Sequence, residues 1–187
     1  ARVYDDSFAI KEKQVVDTIR CLSMDAVQKA NSGHPGTPMA MAPVAYTIWS
    51  KYLRFDPEDP IWPNRDRFVL SMGHASMLLY STLHLAGVKE VAGNYTIGDR
   101  ASVKMEDIKT FRQLHSRCAG HPEYHWTSGI ETTTGPLGNG IATSVGMAIA
   151  SKFLGATYNK HGYEVFDFNV YALAGDGCYQ EGISHEA

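Results

Sequence analysis

The stretch "FNVYALAG", from Phe168 to Gly175, is a near-continuous apolar run that stops at Gly175-Asp176-Gly177. A run with no polar alternation suits a strand of a parallel sheet, covered on both faces. "RFVLS" reads as a second short buried strand. Helical patterns separate the two. From Ile10 to Ala30, the residues Val15, Ile19, Leu22 and Ala26 recur at spacings of four, three and four, which marks an amphipathic helix. "NSGHPG" ends it, since Asn31 and Gly33 are stop signals and Pro35 interrupts any continuation. A second helix is expected from Pro38 to about Leu53, with Ala42, Ala45, Trp49 and Leu53 on its inner face. "FDPEDPIWPNRD" reads as a surface loop, "MGHASMLLYSTLHLAG" as a turn and then a helix. Residues Lys89 to Val103 are polar with two glycines and read as a loop, "MEDIKTFRQL" as a short helix, and Leu137 to Leu154 as a longer one. Helices alternating with buried strands predict an α/β fold, an open and mostly parallel sheet with helices on both faces.

Bulk properties narrow the function classes. A chain of 187 residues with 44% hydrophobic and 20% charged residues has the composition of a soluble globular protein. A net charge of −3 gives no electrostatic case for nucleic acid or an anionic membrane. The longest apolar stretches fall short of the ~20 residues of a membrane helix. Cys21, Cys118 and Cys178 are odd in number and lack CxxC spacing, which points to free thiols in a reducing compartment. "ARVYDDSFAI" has no signal-peptide pattern, so a cytoplasmic location is expected. An initial Ala leaves an organellar, processed form open.

Ligands of open α/β sheets bind beyond the carboxyl ends of the strands. Two such ends carry glycine beside a polar residue, "VLSMGHAS" and "LAGDGC". Asp176 offers hard carboxylate oxygens suited to Mg²⁺ or Ca²⁺. Gly177 lets the backbone approach a phosphate, with unpaired N–H groups expected from the helix that follows. Gly-Asp-Gly alone is a common turn. Three histidines add weight, because His34, His74 and His121 each follow a glycine at a break between elements. His84, His115, His161 and His185 read as structural residues. The loop "ETTTGPLGNG" opens a helix but fails the dinucleotide-binding pattern at the third glycine, which argues against a nicotinamide site. Cys118, His121 and His125 have roughly zinc-like spacing but lack a second ligand pair. The residues by themselves point to an α/β enzyme with a phosphate and metal site.

"KANSGHPGTPMAMA", "RDRFVLSMGHASML", "FRQLHS", "GHPE", "ETTTGPLGNGIATSVGMAIA" and "GDGCYQEGISHEA" follow one another as in the transketolase family, which the chain resembles over almost its whole length. Two departures stand out, a Lys89–Val103 segment longer than the family's and Asn139 where glutamine is usual. The resemblance implies a thiamine diphosphate-binding fold in truncated form. Residues 1–187 would be the amino-terminal part of the diphosphate-binding domain, with the pyrimidine-binding and carboxyl-terminal domains absent. It further implies that Asp176 binds Mg²⁺ (Ca²⁺ as the alternative), while the Gly177 amide and His74 contact the diphosphate. Gly135, Pro136 and Leu137 would line the aminopyrimidine. His34 and His121 would be the catalytic residues that also contact substrate, and Glu181 would link two sites across a homodimer. The implied reaction moves a two-carbon ketol unit from a ketose phosphate to an aldose phosphate, as in the pentose phosphate pathway, with the fragment inactive alone. Dihydroxyacetone synthase-like ketol transfer and a catalytically dead binding module are the alternative readings.

Overall fold

The computed structural model describes residues 6–187, so the amino-terminal stretch read for a targeting signal begins outside the described residues. Helix α1 (Asp6–Ala30) ends where Asn31 and Gly33 turn left-handed, at φ 47° and 127°. Helix α2 (Gly36–Thr47) follows. Pro43 lies inside it and cannot donate to the Met39 carbonyl; the Arg20 Nε–H of α1 donates there instead, at 3.0 Å. The expected continuation to Leu53 is a π-turn, Ile48–Tyr52, with the Leu53 N–H donating to Ile48 O at 2.8 Å. Ala42 and Ala45 are buried, and Trp49 and Leu53 pack on the core from its margin.

Strand β1 (Arg67–Leu70) runs parallel to a strand formed by Val170–Leu173, with Phe68 opposite Tyr171 and Leu70 opposite Leu173. Between them lie the 3₁₀ turn Gly73–Ala75 and helix α3 (Ser76–Ala86), which is buried along almost its entire length. Phe68 and Leu70 join the apolar cluster built by α1, α2 and α3, and Val69 alternates to the opposite face of the strand. Helices thus flank a small parallel sheet, in the predicted α/β arrangement.

Three expectations are corrected. Lys89–Val103 is not a plain loop. It holds an antiparallel pair, β2 (Lys89–Val91) and β3 (Ile97–Ala101), closed by a turn with Tyr95 at φ 61°. Ser128 stitches the pair to the body: its Oγ accepts the Val91 N–H at 2.8 Å, and its carbonyl accepts the Ser102 hydroxyl at 2.6 Å. The predicted helix "MEDIKTFRQL" is only α4 (Met105–Lys109), because Arg112 and His115 turn left-handed beyond it. Strand β4 (Val170–Leu173) is half-buried, with Ala172 exposed, although the apolar run predicts cover on both faces. It pairs with β1 alone among the described residues. Helix α5 (Asn139–Tyr158) packs against both parallel strands, and the short turns α6 (Asp176–Tyr179) and α7 (Gly182–Glu186) end the chain.

Candidate functional site

Most of the predicted residues, Glu181 excepted, gather beyond the carboxyl ends of β1 and β4, where open α/β sheets bind ligands. After β1 the backbone passes through Ser71 and Met72 into the turn that carries His74. Two close approaches lock other segments onto this turn. A Cβ on Gly73 would lie 2.7 Å from the Gly135 nitrogen, so "TTTGPLG" rests directly on the "MGH" backbone. A Cβ on Gly140 would overlap the Ser71 Cα, and the Ser71 Oγ accepts the Ile141 N–H at 3.2 Å. Only glycine admits such approaches. They seat the start of α5 on the end of β1.

A cleft of about 420 Å³ opens there, lined by Thr37, Met72, His74, Leu137, Asp176 and Gly177 among others. Leu137 Cδ1 reaches within 3.2 Å of where a Cβ on Gly177 would stand. Its floor is partly apolar, with Met41 and Met72, and one side is the Gly-Asp-Gly backbone. Asp176 is exposed and its carboxylate has no hydrogen-bond or ion-pair partner among the described residues. Free hard oxygens of this kind suit a divalent cation. Helix α6 is a single turn of four residues.

The histidines form a line along one side. The His34 and His74 rings meet edge to face, with centroids 5.0 Å apart. Gly135 separates His74 from His121: the His121 ring lies 3.4 Å from where a Cβ on Gly135 would be. Helix α3 holds the His121 backbone, through the Tyr80 hydroxyl donating to the His121 carbonyl at 3.1 Å and the Ser76 hydroxyl donating to the Gly120 carbonyl at 2.9 Å. Burial lowers the His74 pKa, with His34 and His121 adding to the effect. Burial also lowers that of His121, helped by Arg112 and His34 and opposed by Glu123. Both imidazoles therefore favour the neutral form, which can accept or relay a proton.

His74, Leu137, Asp176 and Gly177 thus share one cleft, with His34 against His74 and Gly135 against His121. Pro136 lies between Gly135 and Leu137 and is exposed. Glu181 does not line the cleft; it precedes α7, exposed, near Gly138. Cys118 is fully buried and burial pushes its thiol pKa up, while His125 stacks on Tyr124 at 3.9 Å. The sequence reading did not anticipate Ser71, Tyr80 or Thr134. Thr134 is buried and its hydroxyl has no partner, beside Gly73 at the meeting of the two loops. Its place directly before Gly135-Pro136 was the available signal. An orphaned hydroxyl, a glycine-lined wall and a free carboxylate fit a diphosphate-bearing cofactor with a divalent cation.

The family described as "Transketolase, thiamine diphosphate binding domain" matches residues 11–187. Transketolase 1 of Vibrio cholerae is 55% identical over 175 residues, covering 94% of this chain and 24% of the relative. Transketolase 1 of Escherichia coli is 55% identical over 174 residues, covering 93% of this chain and 24% of its own length. Among solved structures, the transketolase from Leishmania mexicana superposes with a TM-score of 0.84 at 47% identity, covering 94% of this chain and 24% of that one. A Pichia stipitis transketolase in complex with sedoheptulose-7-phosphate gives 0.84 at 48% identity with the same coverage. The chain therefore spans about a quarter of the length of the relatives it matches.

Proposed function

Since the chain belongs to the transketolase family, within its thiamine diphosphate binding domain, we propose that it supplies the diphosphate-binding side of a ketol-transferring enzyme. The observation that carries this reading is the convergence of His74, Leu137, Asp176 and Gly177 on one cleft, with His34 and His121 beside it. Thiamine diphosphate, when bound, supplies the nucleophilic carbon and electron sink for cleaving and forming the C–C bond.

The residues of this chain divide the remaining work. Asp176 would give oxygen to Mg²⁺, with Ca²⁺ the alternative, and the Gly177 amide would face the diphosphate. His74 donates to that diphosphate, a charge-assisted contact roughly twice as strong as a neutral one. Gly135, Pro136 and Leu137 would border the aminopyrimidine, with Leu137 supplying an apolar contact that keeps water away. His34 and His121 contact the substrate and move protons on its hydroxyls, work that imidazole side chains suit. Glu181 lies away from the cleft on an exposed turn, in keeping with a link to a second subunit of a homodimer. The substrates are a ketose phosphate and an aldose phosphate; the sedoheptulose-7-phosphate complex of the Pichia stipitis relative supports that class. Residues 1–187 are then the amino-terminal part of the domain, acting in a cytoplasmic pentose phosphate route once the rest of the protein is present.

The test is turnover by the full-length protein. Ketol transfer from xylulose 5-phosphate to ribose 5-phosphate should require both thiamine diphosphate and a divalent cation. A full-length protein that binds the cofactor and transfers nothing would instead favour a binding module.

A further inference from the structure

Arg112 belongs to the "FRQLHS" segment, to which no role has been assigned above. Among the described residues it is the one arginine without a carboxylate partner. Arg20 pairs with Asp17, Arg54 with Asp66 and Asp167, Arg65 and Arg67 with Glu131, Arg100 with Asp107, and Arg117 with Glu90. Its backbone is left-handed at φ 61°, uncommon for a residue with a long side chain. Such an outlier persists only where surrounding contacts hold it.

Those contacts join two loops. The Arg112 Nη1–H donates to Ser32 Oγ at 2.9 Å, two residues before His34. The Arg112 backbone N–H donates to the Cys118 carbonyl at 2.9 Å, three residues before His121. The neighbouring Phe111 ring lies 3.0 Å from where a Cβ on Gly33 would be, which seats the first loop on the same segment. The guanidinium passes Gly120 closely, 3.3 Å from a Cβ there, and its Nε–H is buried with no partner. Arg112, Ser32, Gly120 and His121 line one open cleft of about 330 Å³.

We propose that Arg112 is the positioning residue of this site: it ties the loop of His34 to the loop of His121 and keeps a fixed positive charge beside the His121 imidazole. The inference rests on the ketol-transfer reading for its consequence, though not for its geometry. An unneutralised cation here disfavours a second one on His121. The other charged or titratable groups facing His121 are His34, His74, Tyr80 and Glu123, and of these Glu123 acts in the opposite sense. Removing Arg112 leaves Glu123 to favour protonation of His121.

Arg112→Gln, Arg112→Lys and Ser32→Ala, made in the full-length protein, separate the two roles. One readout is modification of His121 by diethyl pyrocarbonate against pH, followed by peptide mass spectrometry, since only the neutral ring reacts. In Arg112→Gln its midpoint should rise by about half a unit or more, while in Arg112→Lys and Ser32→Ala it should stay near the parent value. The second readout is kcat/KM. It should fall about 10-fold or more in all three variants, because loop placement is disturbed in each, and its acid limb should move upward only in Arg112→Gln. An unmoved His121 midpoint in Arg112→Gln would overturn the proposal, as would full kcat/KM in Ser32→Ala together with Arg112→Lys. If the parent protein transfers no ketol unit, the functional reading fails while the modification profiles still decide the role of Arg112.

Discussion

His34, His74 and His121 sit within one line of contacts, and the proposed ketol-transfer reading gives them different work. His74 borders the cleft that holds Asp176, while His121 lies beyond Gly135, on the cleft it shares with Arg112. In the full-length protein, His121→Ala and His34→Ala should lower kcat/KM by about 10²-fold or more with cofactor affinity nearly intact. His74→Ala should weaken cofactor binding more than chemistry. Cofactor titrations beside steady-state kinetics check this, and equal loss of affinity in all three would refute the division. The lowered pKa values of His74 and His121 also make stability depend on pH. A group with a lowered folded pKa contributes stability above its ordinary value, ~6.5 for imidazole, and loses it as pH falls through the folded value. Stability should thus decline below about pH 6.5. His74→Gln combined with His121→Gln should flatten that part of the urea-midpoint profile, and a profile of unchanged slope would contradict the assignment.

At the scale of elements, two junctions hold the sheet to the site. The first is Asp66, in a segment that reads as a surface loop but whose side chain is fully buried. Its carboxylate accepts the Arg54 backbone N–H at 2.9 Å, the Asn169 N–H at 2.7 Å, and the Arg54 guanidinium at 3.1 Å. It thereby brings the entry to β4 beside the entry to β1. Asp66→Ala would leave buried donors without acceptors, at about 1–3 kcal/mol for such a group, and chemical denaturation should show a loss of at least that size. The second junction is Gly140 on Ser71. Gly140→Ala would force α5 away from β1, and overpacking of this kind costs about 1–3 kcal/mol. Because α5 carries Leu137 at its approach, the same variant should weaken cofactor binding. A variant with parental stability and affinity would show that the junction yields more readily than its geometry indicates.

For the molecule as a whole, the site is one-sided. Asp176 is a single carboxylate, and no group of three or more His, Cys, Asp or Glu poised for a metal occurs among the described residues. Mg²⁺ takes six oxygens in near-ideal octahedral geometry and gives up water reluctantly. The supporting turns α6 and α7 have four and five residues, far below the ~12–15 at which an isolated helix becomes marginal. Residues 1–187 alone are therefore expected to show no joint binding of Mg²⁺ and thiamine diphosphate by calorimetry, and no ketol transfer. The full-length protein should bind both, and Asp176→Ala should abolish the joint binding. Micromolar joint binding by the 187-residue chain would refute this.

The sequence by itself determined the helices α1, α2, α3 and α5, both parallel strands, and the turns that hold His34, His74 and Asp176. Those signals are local: apolar period, glycine and proline punctuation, and polar residues where an apolar run stops. It missed β2 and β3, whose few residues carry no alternating apolar pattern and whose pairing is held by Ser128. Burial of Asp66 was equally hidden, because its partner Asn169 lies 103 positions away. Only the tertiary structure decided that Gly73 meets Gly135, that His34 meets His74, and that Arg112 reaches Ser32 across 80 positions. Each is a contact between distant segments, set by how α1, α2 and α3 pack on one another and how α5 seats on β1. Local pattern encodes which element a residue joins, but the packing of whole elements fixes which loop ends face one another.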